Sequence, residues 1–161
     1  MTKTSNKDSG FTIIEVVLVL AIAGLIFLVV FLALPALQRS QRDSQRRSDV
    51  GRMMAQLETY ASNNNGRYPD EATAAELTSF VSEYLTNAGA VWEDPTGGST
   101  YTIVDGSTIP ATVPDPTGNI YYGTNLQCGT AEGDFAAGSG NRSIAVIVGL
   151  ENGQAYCQDN R

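Results

Sequence analysis

From Val16 to Leu37 the chain runs for 22 residues without a charge. As a helix that is about 33 Å at about 1.5 Å per residue, against about 30 Å for the hydrocarbon core of a bilayer. The run is apolar on every side, so it keeps no face for water and suits a helix surrounded by lipid or by other apolar helices. The alternative is a buried core helix, but the rest of a 161-residue chain is too small to wrap it. A secretory signal fits poorly: the apolar region exceeds the usual span of about 7 to 15 residues, and LALPALQ offers no small-x-small cleavage site.

Beyond the run, the pattern stays helical but becomes one-sided. Val50, Met53, Met54, Leu57, Tyr60 and Ala61 recur at steps of three and four, an apolar stripe that predicts packing against the domain that follows. Asn63 to Gly66 ends it, because Asn and Gly adopt the left-handed backbone found at helix ends. One helix is thus expected over 11–62, with Pro35 and Gly51 its weak points. A second helix is predicted from a T-x-x-E capping box at Thr73 and Glu76, followed by Leu77, Phe80, Val81, Tyr84 and Leu85, and should end near 87–89. Afterwards β-branched residues predict short strands at 100–105, 120–124, 143–149 and 154–158, the last two joined by a hairpin at Asn152-Gly153. The prolines of 110–118 predict an irregular connection. The fold class expected is α+β: a long N-terminal helix, half transmembrane and half packed on the domain, then a small antiparallel β-sheet domain.

Charge divides the chain. Residues 1–10 carry a net +1, residues 38–52 carry five arginines (39, 42, 46, 47 and 52) and a net +3, and residues 53–161 a net −10. An acidic domain on a basic neck is a poor nucleic-acid binder, since phosphate contacts need clustered exposed cations. The opposite charges suggest contacts between one chain's neck and another's head. Cys128 and Cys157 are the two cysteines, and the chain has no histidine. A zinc site is therefore not expected; one disulfide is, with free thiols the alternative. A disulfide places the C-terminal part outside the cytoplasm, whereas five arginines just after the span would by themselves keep it inside. We give the cysteines more weight.

Catalytic chemistry has little to stand on. The chain has no G-x-S-x-G elbow and no phosphate-binding loop, and the acid pairs Asp70-Glu71 and Glu93-Asp94 are expected to face water. No enzyme activity, cofactor or metal is expected. Asp105, Asp115, Glu132 and Asp134 are spaced unlike an EF-hand loop. Asn141-Arg142-Ser143 matches a glycosylation sequon by chance, and Trp92 and Tyr121-Tyr122 are expected to be buried or half-buried aromatics.

Glu15 stands at the front of the apolar run, where an acid costs about 2.5–3.5 kcal/mol at mid-bilayer and less at the headgroups. Before it come a short basic polar stretch and Gly10-Phe11. A cut between those two would start the chain on a hydrophobic residue with a free amine and make Glu15 its fifth residue. The amine and the carboxylate could then pair within one chain or between shifted neighbours, fixing register in an apolar bundle.

At these residues, GFTIIE followed by AIAG and LPALQ, the sequence resembles the type IV pilin and pilin-like precursors over about residues 7–38. The resemblance implies cleavage after Gly10 by a prepilin peptidase, methylation of the Phe11 amine, an assembly role for Glu15, and helix flexibility at Gly24 and Pro35, whose intervening segment is often melted in filaments of the family. It divides the chain into a leader at 1–10, a filament-core helix at 11–37, its amphipathic continuation at 38–62 and an extracytoplasmic head at 63–161. Implied partners are identical or related pilin subunits, the peptidase, an inner-membrane assembly platform and, before assembly, the cytoplasmic membrane, crossed once with the N-terminus inside. Two features depart from the common pattern: Gly24 to Pro35 is about three residues longer, and Ser9 precedes Gly10 in place of a cation. A pilus subunit is the leading expectation. A pseudopilin of a type II secretion or competence filament, a class that often binds calcium through acids near the C-terminus, is the alternative, because NNGRYPDEATAAEL (64–77) resembles the corresponding segment of major pseudopilins. A plain single-span anchored domain comes last.

Overall fold

A computed structural model describes residues 10–86, 91–106, 118–130, 133–140 and 142–161. The first helix, α1, runs Ile13–Asn63 and contains Pro35. The chain divides into two compact units, residues 1–38 and residues 39–161, and α1 contributes to both.

In the first unit, α1 is bare. Every large apolar side chain from Phe11 to Leu37 is exposed, Phe11 at 90%. Helical geometry continues through Gly24 and Pro35.

In the second unit, α1 buries Val50, Met53, Met54, Leu57 and Ala61, with Tyr60 packed at the edge. This is the stripe read from the sequence. It stops as expected, at Asn65 (φ 57°) and Gly66 (φ 80°), where the Gly66 N–H donates to the Ala61 carbonyl at 2.7 Å. The second helix, α2, runs Ala74–Phe80 and continues as a π-helical turn over Val81–Thr86. Its predicted capping box does not form. The Thr73 hydroxyl donates to the Asp70 carboxylate and the Thr73 N–H to the Asp70 carbonyl, so both groups of the box are already engaged, and the Glu76 carboxylate accepts from Arg67 and the Asp70 N–H. The expected end at 87–89 and the connection at 110–118 fall outside the described residues, apart from Gly118.

Six strands follow: β1 Thr102–Asp105, β2 Asn119–Thr124, β3 Leu126–Cys128, β4 Phe135–Ala137, β5 Ile144–Gly149 and β6 Ala155–Asp159. The main sheet has the order β1-β2-β5-β6, and β3-β4 form a second pair. Most pairings are antiparallel, but β1 and β2 are parallel. The register sorts the side chains into rows. Ile103, Ile120, Val148 and Tyr156 align across the four strands and pack toward α1, while Val104, Tyr121, Ile147 and Cys157 align on the other face with Phe135 of β4. Covered on both faces, β5 is buried along its whole length, which explains its unbroken apolar run. The β5–β6 connection, residues 150–154, is a tight turn, with Gly153 at φ +79° and the Leu150 N–H donating to the Gln154 carbonyl.

Four of the five neck arginines have partners in their own chain. Arg46 is fully buried; its Nε and Nη2 hold both oxygens of Asp94 at 2.9 and 3.2 Å, Nη2 also reaches the Thr96 hydroxyl, and Nη1 lies near Asp43 and Glu151. Arg42 grips Glu151 through Nε and Nη2, and the Glu151 N–H donates to Asp43, so the β5–β6 turn is clamped to α1. Arg52 donates to the Val91 carbonyl, pairs with Asp49 at 3.5 Å and lies over the Trp92 ring; Arg47 lies over Tyr156. The acid pairs do not both face water either: Asp94 is buried, and Glu71 accepts the Thr124 hydroxyl. Trp92 and Tyr122 are core residues, and Tyr121 is buried on the opposite face.

Burial alone would push the Asp94 carboxyl up, but Arg46 and Thr96 outweigh it and hold it below the usual carboxylate range. Arg42 does the same for Glu151. Asp49 goes the other way: burial penalises its charge more than the Tyr101 hydroxyl and Arg52 relieve it, so its carboxyl is pushed up.

Candidate functional site

The front of α1 is built by Thr12 and Glu15. The Thr12 N–H donates to Glu15 Oε2 at 3.2 Å and the Thr12 hydroxyl to the same oxygen at 3.1 Å, while the Glu15 N–H donates to Thr12 Oγ1 at 3.3 Å. This reciprocal pattern is a capping box. The T-x-x-E signal precedes the apolar run just as it precedes α2, and the sequence reading attached it to the wrong helix. The box satisfies orphan N–H groups of the first turn and places a carboxylate where the helix dipole favours negative charge.

Gly10 and Phe11, the residues flanking the expected cut, are exposed immediately before this cap. Gly10, Phe11 and Glu15 are therefore grouped at the entry of α1, which begins at Ile13. Only Thr12 donates to the Glu15 carboxylate among the described residues, which leaves Oε1 open to a further donor.

Gly24 lies farther along α1, where an added Cβ would meet nothing within 4 Å. Its own chain does not require a glycine there. Nor does Pro35 break α1. The 18-residue window that makes α1 long and apolar enough to cross a membrane has none of its residues buried.

Cys128 and Cys157 form a disulfide with their Cα atoms 5.8 Å apart. It links β3 to β6, and the Cys128 N–H donates to Asp159 at 2.9 Å beside it. Cys128 thus sits on β3, a strand beyond the four expected from the sequence. Among the described residues no group of three or more acids, cysteines or histidines is arranged to hold a metal; Asp115 and Glu132 lie outside them.

The family described as the prokaryotic N-terminal methylation motif matches residues 5–31. Comparison with curated proteins and with solved structures found no match. The matched stretch contains Gly10, Phe11, the Thr12–Glu15 box and Gly24. The chain carries the type IV prepilin signal at the head of a long apolar helix, and with its small, mainly antiparallel sheet domain it has a pilin-like α+β architecture.

Proposed function

We propose that the chain is a structural subunit of an extracellular type IV pilus, cut after Gly10, methylated on the Phe11 amine and polymerised through its N-terminal helix for adhesion, motility or DNA uptake. The observation that carries this is the methylation motif on a helix whose apolar surface is bare from Phe11 to Leu37. Such a surface requires lipid before assembly and other apolar helices after it. Residues 1–10 are then the leader, 11–37 the filament core, 38–62 the amphipathic continuation and 63–161 the head outside the cytoplasm. A prepilin peptidase and an inner-membrane platform act on the precursor while it crosses the membrane once.

Glu15 sets register. Its carboxylate stays capped by Thr12 until a neighbour's amine approaches the open oxygen, and an unpaired carboxylate in an apolar bundle penalises any other register. The disulfide of the head supports an oxidising location.

Lys3 and Lys7 are the only lysines. Cutting after Gly10 therefore leaves the Phe11 amine as the single primary amine of the chain, and methylation makes it secondary. Coexpression with a prepilin peptidase followed by intact-mass measurement should show the loss of residues 1–10 and the gain of one methyl group. A chain left uncut would overturn both the pilus and the pseudopilin assignments. The second assignment keeps one specific support: 64–77, the segment that resembles major pseudopilins, forms the turn after α1 and the start of α2. Immunolabelled long surface fibres favour the pilus; a melting temperature that drops on chelation favours a calcium-binding pseudopilin.

A further inference from the structure

The neck has five arginines, and the head uses four of them. Arg42 and Arg46 hold Glu151 and Asp94, Arg52 holds Asp49 and the Val91 carbonyl, and Arg47 covers the Tyr156 ring. Arg39 is exposed and has no hydrogen bond, ion pair or ring contact among the described residues. It occupies the same side of α1 as Arg42 and Arg46, at helical steps of three and seven. Among the described residues the head offers acids to those two and none to Arg39.

In sequence Arg39 follows the last apolar residue of the run, Leu37, by two positions. A cation at that place in a spanning helix extends its apolar stem along the chain and delivers its charge to the headgroup layer.

We propose that Arg39 binds a phospholipid phosphate, its guanidinium donating to two phosphodiester oxygens at the end of the span opposite Glu15. The proposal rests on the membrane-spanning precursor described under Proposed function. Guanidinium is the side chain whose fork of donors matches phosphate oxygens. A lipid is favoured over the carboxylate of a second copy because the precursor meets the bilayer before it meets a neighbour, and an uncompensated cation at the headgroup level is paired there first. Separate duties follow for the basic cluster: four arginines fasten the head to its own helix, and one fastens the helix to the membrane surface.

The test uses the full chain, labelled with 15N-arginine, at one copy per nanodisc of phosphatidylethanolamine and phosphatidylglycerol. Solid-state NMR reads dephasing of the arginine side-chain nitrogens by lipid 31P. The expected result is dephasing of one guanidinium in the wild type, lost in Arg39→Gln, with the melting temperature of the head unchanged because Arg39 is exposed and makes no hydrogen bond or ion pair with its described residues. Equal dephasing in wild type and variant, or none in either, would overturn the proposal, and none in either followed by protection of Arg39 on filament assembly would assign it to a neighbour's carboxylate. Co-elution of chain and disc is scored separately. A chain that inserts without 31P contact refutes the role of Arg39 alone, whereas one that elutes free of the disc refutes the span and this proposal together.

Discussion

At the scale of the residue, Glu15 and Asp94 are two carboxylates with opposite legibility. Glu15 is conspicuous because it is an acid at the edge of an apolar run, and the cost of its charge is enough to ask for a partner. The expected outcome of Glu15→Ala is a precursor still cut at Gly10 but unable to form filaments, measured by intact mass and by electron microscopy of the same cells. Normal filaments from that variant would remove its register role. Asp94 carried no such signal. Paired with Glu93 in a loop, it resembled a solvated acid, and only the approach of Arg46 from a distant part of the sequence makes its burial affordable. Removing one partner strands the other, so Arg46→Ala should cost about 3–5 kcal/mol in denaturant unfolding of the head. A loss below about 1 kcal/mol would mean that the pair behaves as a surface contact.

At the scale of the element, the stripe from Val50 to Ala61 and the unbroken apolar run of β5 were readable, because burial on one helix face or on both sheet faces leaves a period in the residues themselves. The full stripe is longer than its apolar members. Arg46 and Asp49 belong to it and are buried, but charged residues at those steps read as a solvated face until their partners are known. The parallel pairing of β1 with β2 and the short β3–β4 pair were not readable, since three- and four-residue strands carry too little alternation to assign a partner. The linkage joins Cys128 and Cys157 across a sequence separation of 29. By loop-closure entropy it is worth about 3–4 kcal/mol. Reduction, or Cys128→Ser with Cys157→Ser, should lower the unfolding free energy by that amount without altering cleavage at Gly10. Gly24 provides a contrasting test. With space around it in the isolated chain, Gly24→Ala should leave the helix intact or favour it by up to about 1 kcal/mol. A fall in filament yield in the same variant would place the need for glycine in the contact between neighbouring helices.

At the scale of the whole molecule, the charge balance of −7 conceals a specific arrangement, and pH is the means to expose it. Asp94, Glu151 and Asp159 titrate below their ordinary values in the folded state. A depressed carboxyl contributes stability above its unfolded pKa, about 4, and that contribution is lost as pH falls through the folded value. Asp49 is raised, so its contribution has the opposite sign: it favours folding below about pH 4 and fades as pH rises through the raised value. Three depressed groups against one raised group predict a head that is stable at neutral pH and loses stability below about pH 4. Urea midpoints measured from pH 2 to 7 should show this fall, and Asp94→Asn should flatten it. An unaltered pH profile in that variant would show that the Asp94 carboxyl is not depressed in the folded head.

The same arrangement gives the arginines after the span a second duty. Five arginines after a span look like a cytoplasmic retention signal when they are counted as free charge. Four of them are internal counter-ions or ring contacts of the head, leaving Arg39 alone uncompensated among the described residues. By itself the sequence determined the apolar run, the acid before it, the processing motif, the apolar stripe of α1 and the approximate position of most strands, because each is written in local spacing and composition. The tertiary structure decided which cations pair with which acids, which T-x-x-E becomes a cap, and how the short strands align. Those choices depend on residues far apart in the chain, or on competing nearby donors, and local spacing carries no record of either.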